Sequence, residues 1–254
     1  MANVNAYTAI DMLNPSIWYG YVYGANTTRI VLTDYSSNIA VYEGKNFKYS
    51  GDSLKSGTLT AYGQYNYSDL TTNCLVSGLN LDAKKVYGYV QSGQATQLYG
   101  YALSGKDTIN GSSSSDFLRG FAGDDKIYGN DGIDTIFGDD GKDTLSGGGG
   151  ADAFVFNLKP STTNFDTITD FVSGTDGLIF KSNIFIKLAG DTDLSDNFVK
   201  GSKALDSNDY LIFNPSNNTL FYDADGSGKK FAPVAVVKLV GVTDLSISHD
   251  FFVG

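Results

Sequence analysis

Catalytic nitrogen and sulfur are almost missing from this chain of 254 residues, which holds one histidine, His249, and one cysteine, Cys74. A single cysteine closes no internal disulfide, so cross-links of that kind do not stabilise the fold. No H-E-x-x-H zinc helix is possible, and His249, five residues from the C-terminus, gives Cys74 no credible general base. A G-x-S-x-G elbow is lacking, and so is a Walker-type phosphate loop, since the many glycines have no following lysine and helix. Carboxylate-only chemistry survives these exclusions, because a glycosidase needs just two acids about 5 to 9 Å apart. The N-terminal acids Asp11, Asp34, Glu43, Asp52, Asp69 and Asp82 stand in no setting that marks a pair, and each reads as solvated or turn-forming.

Cations are scarce too: 18 lysines and arginines face 28 acids, for a net charge of −10 and a pI near 4.4. That balance excludes nucleic acid and anionic membrane as natural partners and favours cations. No stretch approaches the roughly 18 consecutive apolar residues of a membrane span. Residues 1–15 have neither a basic end nor an apolar run, so no cleavable export signal is expected there. Hydrophobic residues still make up 41% of the chain, enough for two or three compact units with real cores.

What the chain has in abundance is a period. Across residues 102–155 an aspartate falls every nine residues, at Asp107, Asp116, Asp125, Asp134, Asp143 and Asp152, each followed two residues later by Ile109, Leu118, Ile127, Ile136, Leu145 or Phe154. Glycine opens five of the six units and precedes the aspartate by two in five, at Gly105, Gly123, Gly132, Gly141 and Gly150. The unit is G-x-x-G-x-D-x-U-x with U apolar: a glycine-rich turn of six, then a triplet long enough only for a very short strand. Two units close one coil of a solenoid, which places each aspartate beside the one 18 residues on. Carboxylates about 4 to 5 Å apart repel by roughly 4 kcal/mol at an effective dielectric of 20. Ten aspartates against three lysines and one arginine leave −6 of the −10 in this stretch, with no lysine placed periodically to offset it. A hard dication must lie between the pairs, and oxygen-only ligands in flexible turns point to calcium rather than zinc or magnesium. The candidate ligands are the six aspartates with the turn residues Gly105, Gly123, Gly132, Gly141 and Gly150, and Phe121, Asn130, Asp139 and Gly148.

The repeats resemble the nonapeptides of the RTX family, secreted bacterial proteins that fold such units into a parallel β-roll around calcium. The unit G-G-G-G-A-D-A-F-V at 147–155 fits every position of the family pattern. Ala102 opening the first unit and Ser114 in the second depart from it, which predicts weaker or empty sites at those turns. The resemblance implies about four calcium ions in the roll. It also implies a type I exporter as partner, reading an uncleaved C-terminal segment, and an extracellular or cell-surface location for a protein of a Gram-negative-type bacterium. The ending His249, Asp250, Phe251, Phe252, Val253, Gly254 is similar to that family's acidic-then-apolar tail, apart from the final glycine.

Around the repeats the pattern is mainly β. Short alternating runs at 18–22, 29–33, 39–42, 47–49 and 58–62, separated by turn residues such as Gly24, Gly44, Gly51 and Gly57, predict a small antiparallel sheet. The tyrosines of this half (Tyr19, Tyr21, Tyr23, Tyr42, Tyr49, Tyr62, Tyr65, Tyr67) could offer an aromatic face to sugars, but strands recruit tyrosine for packing alone, and that is the favoured reading. Asp82 is a good N-cap for a helix through Ala83, Val86, Tyr87 and Val90 that ends at Gly93, and a second helix is expected over 94–103, capping the open end of the roll. Strand-like runs at 166–171, 178–180, 210–213, 219–222 and 234–239 resemble the sandwich-like segment after an RTX roll. Asp166 and Asp170 could supply a last roll site. Asp223 and Asp225 open like an EF-hand loop, yet Val234 stands where glutamate is needed, which favours a plain turn.

The expected organisation is therefore a β-rich N-terminal domain with capping helices over 1–101, a calcium-binding roll over 102–155, and a C-terminal β-rich secretion domain over 156–254. Function is expected to be that of a non-enzymatic secreted calcium-binding protein, an adhesin or matrix protein whose N-terminal part binds a surface, a polysaccharide or itself. A small carboxylate-dependent hydrolase or sugar-modifying enzyme is the alternative.

Overall fold

The computed structural model describes residues 3–6, 21–25, 29–33, 38–50, 53–66, 72–92, 94–191 and 193–254. Strands β1 (Asn3–Ala6), β2 (Tyr21–Ala25), β3 (Arg29–Thr33), β4 (Asn38–Ser50), β5 (Ser53–Asn66), β6 (Thr72–Ser77) and β7 (Leu81–Asp82) come first. Helices α1 (Ala83–Gln91) and α2 (Ala95–Ala102) follow. The repeats then give β8 (Thr108–Asn110), β9 (Phe117–Arg119), β10 (Lys126–Asp131), β11 (Thr135–Phe137), β12 (Thr144–Gly149) and β13 (Ala153–Phe156). Beyond them lie β14 (Asp166–Ile168), β15 (Gly177–Phe180), β16 (Phe198–Lys200), β17 (Leu211–Asn214), β18 (Thr219–Tyr222), β19 (Val234–Leu239), the short helix α3 (Ile247–Asp250) and β20 (Phe251–Val253).

Successive nine-residue units alternate between two parallel sheets. β8, β10 and β12 pair in one with Ile109, Ile127 and Leu145 in register, while β9, β11 and β13 pair in the other through Leu118, Ile136 and Phe154. One apolar side chain of each unit, two residues after the aspartate, points inward, so the core of the roll is built on two rows of residues, all at most 1% exposed. Each row member removes a whole aliphatic or aromatic side chain from water, worth roughly 1.5–3 kcal/mol. Backbone bonds tie the coils at the aspartates: Lys126 N–H donates to Asp107 O at 2.9 Å, and Thr135 N–H to Asp116 O at 2.8 Å.

The sandwich-like segment expected after 155 is an extension of these same two sheets. β14 and then β19 continue the first sheet, and β15 and then β20 the second, so Ile168 and Leu239 prolong one apolar row and Leu178 and Phe251 the other. Between β15 and β19 the chain makes an excursion through β16, β17 and β18, which extends the first sheet and packs Phe185, Leu188, Leu211 and Phe213 into the core. The C-terminal tail is thus the last rung of the roll. Asp250, wholly buried, fixes it by accepting from Ser173 Oγ, Gly174 N–H and Ser246 N–H at 2.6–2.7 Å.

On the other side β1 adds parallel to β8 and pairs antiparallel with β6, carrying the first sheet into the N-terminal strands. Those strands correct one expectation. Gly24, Gly44 and Gly57 lie inside strands rather than between them, and β4 and β5 run through 13 and 14 residues. Register shifts at Glu43/Gly44 and at Lys45/Lys48 absorb the irregularity. A methyl on Gly44 would press on the Phe47 ring and the Thr58 carbonyl, so the glycine admits a close approach at a bulge instead of making a turn. The expected strand start at Trp18 and the turn at Gly51 lie outside the described residues.

Both helices form as the sequence predicts. Asp82 caps α1 by accepting from Lys85 N–H at 2.8 Å, and Lys85 stands over the Tyr101 ring of α2. The end of α2 meets the first turns of the roll, where Leu103 O accepts from Ala122 N–H and Gly100 faces the Phe121 ring. Of the tyrosines with described side chains, Tyr42 is buried and sits 5.0 Å from Tyr62 in an apolar cavity under the helices, so neither belongs to an outward sugar-stacking face. Tyr19 and Tyr67 lie outside the described residues.

Candidate metal centre

The turns explain where the repeat needs glycine and why. In the unit opening at Gly129, the left-handed backbone falls on the second residue, Asn130 at φ 76°, and the fourth, Gly132, has φ 129°. Phe121, Asp139 and Gly148 repeat the first of these and Gly123, Gly141 and Gly150 the second. The opening glycine answers to space instead. A methyl on Gly129 would overlap Oδ2 of Asp134 and the carbonyl of Gly147 one coil on. On Gly120 it would lie 2.6 Å from both Asp125 Oδ2 and Gly138 O. Oxygen from two successive coils therefore converges at Gly111, Gly120, Gly129 and Gly138.

The aspartates stack as two ladders. Along one, Asp107 N–H donates to Asp125 Oδ1 at 2.7 Å and Asp125 N–H to Asp143 Oδ1 at 2.8 Å. Along the other, Asp116 N–H donates to Asp134 Oδ1 at 2.8 Å and Asp134 N–H to Asp152 Oδ1 at 2.9 Å. One oxygen of each acceptor is thereby satisfied. The second is not: Oδ2 of Asp125, Asp134, Asp143 and Asp152 is buried with no hydrogen-bond partner. Leaving a buried charged acceptor unsatisfied costs more than the roughly 1–3 kcal/mol of a neutral one. Burial first, and then the charges of its ladder neighbours, push the Asp125 carboxyl up to about 7 and that of Asp134 up to about 6. Asp152 moves in the same direction, chiefly through burial and then through Asp176. A dication reverses this logic by supplying the charge that the ladder lacks.

The other candidates divide. The carbonyls of Gly105, Gly123 and Gly132 abut Gly123, Gly141 and Gly150 of the following coil, and Asn130 O abuts Gly148, so turn carbonyls line up beside the ladders. Phe121 O accepts from Asp140 N–H at 3.0 Å. The Asp139 carboxylate is taken by Arg119 in a bidentate pair at 2.7 Å and by Asn157 Nδ2 at 2.7 Å. Asp116 differs from its ladder mates because its Oδ2 accepts from Ser112 N–H at 2.7 Å and from Ser112 Oγ at 3.0 Å.

Two continuations of the ladders carry no repeat signature. Asp143 N–H donates to Asp166 Oδ1, and Asp152 N–H to Asp176 Oδ1, so Asp166 and Asp176 occupy the next rungs. Asp176, which sequence reasoning missed, was readable from D-x-U at Asp176-Gly177-Leu178. Asp170 does another job, accepting from Ser146 Oγ, Gly147 N–H and Gly148 N–H to hold the turn of the preceding coil. At the EF-hand-like stretch, the Asp225 carboxylate accepts from Lys230 N–H and Phe231 N–H, and Asp223 Oδ1 accepts from Asp225 N–H. The loop thus uses those carboxylates itself.

Among the described residues no three or more His, Cys, Asp or Glu side chains gather into a metal cage. The ladders offer carboxylate pairs, and an ion needing six to eight oxygens must draw on turn carbonyls as well, which is calcium's habit and not zinc's. The donor set and the orphaned oxygens fit that ion.

The class this geometry defines is a parallel β-roll with acidic ladders between its coils. Residues 101–136 and 128–156 match the RTX calcium-binding nonapeptide repeat, a pattern of four copies, and this part of the chain is an array of those calcium-binding repeats. Among solved structures the chain is similar to the R3 subunit of the Azotobacter vinelandii mannuronan C5-epimerase AlgE6, with 24% identity, a TM-score of 0.39, and 59% of this chain and 78% of that one covered. It is also similar to the R2 subunit of the same epimerase, with 24% identity, a TM-score of 0.35, and coverage of 58% and 88%. No curated protein matches the chain significantly. No helix among the described residues is long and apolar enough to cross a membrane.

Proposed function

We propose that this chain is a secreted, non-enzymatic protein whose roll folds when it meets calcium outside the cell. The carrying observation is the set of buried Oδ2 atoms at Asp125, Asp134, Asp143 and Asp152, which the protein itself leaves without a donor. About four ions between successive rungs, held by ladder carboxylates and turn carbonyls, would satisfy them. Metal-binding free energy then becomes folding free energy, available at extracellular calcium and withheld at cytosolic calcium. A type I exporter is the matching route, because a chain that waits for calcium crosses a narrow channel unfolded.

The N-terminal strands are left to face a surface, a matrix polysaccharide or another copy. For the hydrolase alternative, Asp82 is spent as a helix cap and Glu43 is exposed on a strand, while Asp11, Asp34, Asp52 and Asp69 lie outside the described residues. A glycan array set against a panel of glycoside substrates separates binding from hydrolysis. The central test is a circular dichroism titration from chelated protein. Calcium should restore the β signal between micromolar and millimolar and magnesium should not; a β signal indifferent to exhaustive chelation refutes the reading.

A further inference from the structure

We propose a further calcium site outside the nonapeptide repeats, between Asp143 of the fifth unit and Asp166 of β14, in the coil where the nine-residue period has already failed. The inference rests on the calcium reading of the roll and extends it past residue 156, where the repeat match ends. Three observations carry it. β12 and β14 pair with Thr144 opposite Thr167 and Leu145 opposite Ile168, which sets Asp166 on the rung after Asp143 despite the longer spacing. Asp143 N–H donates to Asp166 Oδ1 at 3.1 Å, repeating the bond that links every earlier pair of rungs. Finally, the space over Gly138 collects the remaining oxygens: a methyl there would lie 2.5 Å from Asp143 Oδ2 and 3.0 Å from Asp166 Oδ2.

Asp143 is 1% exposed and its Oδ2 has no partner, so an unsatisfied buried oxygen is aimed at this space. Asp166 is 7% exposed. Among the described residues no lysine or arginine forms an ion pair with either; the nearby cation, Arg119, is committed to Asp139. Two buried carboxylates facing one gap must share a proton or hold a cation between them, and where a cation enters, oxygen-only donors select a hard dication. On the other ladder the corresponding rung differs, since Asp176 Oδ2 accepts from Val172 N–H at 2.8 Å and only Asp152 Oδ2 remains without a donor.

The test counts ions on the full chain. Native mass spectrometry at saturating calcium should show one ion fewer for Asp166→Asn than for the unaltered protein, with the rest of the roll still loaded; asparagine keeps a carbonyl acceptor for the Asp143 N–H. An unchanged count in a folded Asp166→Asn protein overturns the site. If that variant does not fold, anomalous scattering from crystals of the unaltered protein grown in calcium decides: a peak between Asp143 and Asp166 supports the site, and its absence with peaks elsewhere on the ladders overturns it. A chain that binds no calcium anywhere would refute the calcium roll itself, an outcome distinct from the loss of this one site.

Discussion

The two aspartate ladders share one register and one hydrogen-bond rule, yet they end differently. The ladder of Asp116, Asp134, Asp152 and Asp176 is closed by the protein at both ends: Ser112 satisfies Asp116 Oδ2, and Val172 satisfies Asp176 Oδ2. The ladder through Asp125 and Asp143 reaches Asp166 with oxygens still facing each other. A buried carboxylate in this roll therefore has two ways to be stable, a donor from its own turn or an ion from outside. At both closed ends the donor is the backbone N–H four residues before the aspartate, and at the same position before Asp125, Asp134, Asp143 and Asp152 the backbone has positive φ, so the conformation of the turn separates the two cases.

Removing an inner and an end rung of the same ladder separates the two devices. Asp134 lies between Asp116 and Asp152, so Asp134→Ala weakens two sites at once and should raise the calcium midpoint by about tenfold or more with a loss of cooperativity. Asp116→Ala removes a carboxylate already served by Ser112, and its shift should stay within about threefold. Calorimetric calcium titration of both variants measures this. Equal shifts would show that the serine donors do not replace an ion.

What the sequence exposes of this arrangement follows from what a period can encode. Rungs nine residues apart were legible because Asp107 to Asp152 keep step with Ile109 to Phe154, and the alternation between two sheets follows from that count. Asp166 and Asp176 were harder, since their strands pair at offsets of 23 and 24 residues in place of 18 and only D-x-U survives. β19 and β20 were beyond reach as rungs, because the excursion through β16 to β18 separates them from the strands they extend. The Arg119–Asp139 pair joins residues 20 apart across one sheet edge, and neither propensity nor period announces such a contact. Gly44 failed for another reason: glycine signals a turn and a bulge alike, and only the Phe47 ring packed over it tells which.

Protons can take the place of calcium on the same oxygens. With the ion chelated, Asp125 and Asp134 titrate in the folded roll near about 7 and about 6, above the usual aspartate value near 4. The folded form then holds protons that the unfolded chain has released. Stability from these groups is fully present below about pH 4 and is lost as pH rises through 6 to 7. Chelated protein should therefore regain more β signal at pH 5.5 than at pH 8, whereas calcium-loaded protein should lose affinity on acidification, because protons compete for the same oxygens. Chelated protein with an equal or larger β signal at pH 8 would mean that the buried oxygens carry no uncompensated charge.

The smallest effect is expected at the closed end. Ser112 serves Asp116 twice, through its N–H at 2.7 Å and its hydroxyl at 3.0 Å, and its Oγ also accepts from Ser114 N–H at 3.1 Å. Ser112→Ala keeps the backbone donor and removes the hydroxyl, so Asp116 Oδ2 is weakened but not orphaned. A hydrogen bond to a charged group contributes about 1.5–3 kcal/mol, and the remaining donor and entering water offset part of the loss, which leaves roughly 1 kcal/mol. For a chain of this size that is a fall of about 2–4 °C in Tm at saturating calcium. The calcium dependence carries the comparison further. If hydroxyl and ion are interchangeable ways of satisfying the same oxygen, Ser112→Ala should make stability depend more steeply on calcium, so that its deficit narrows as the ion is raised. Thermal melts across a calcium series read this directly: a deficit that stays constant from micromolar to millimolar calcium would show that Ser112 only props the turn and does not stand in for an ion.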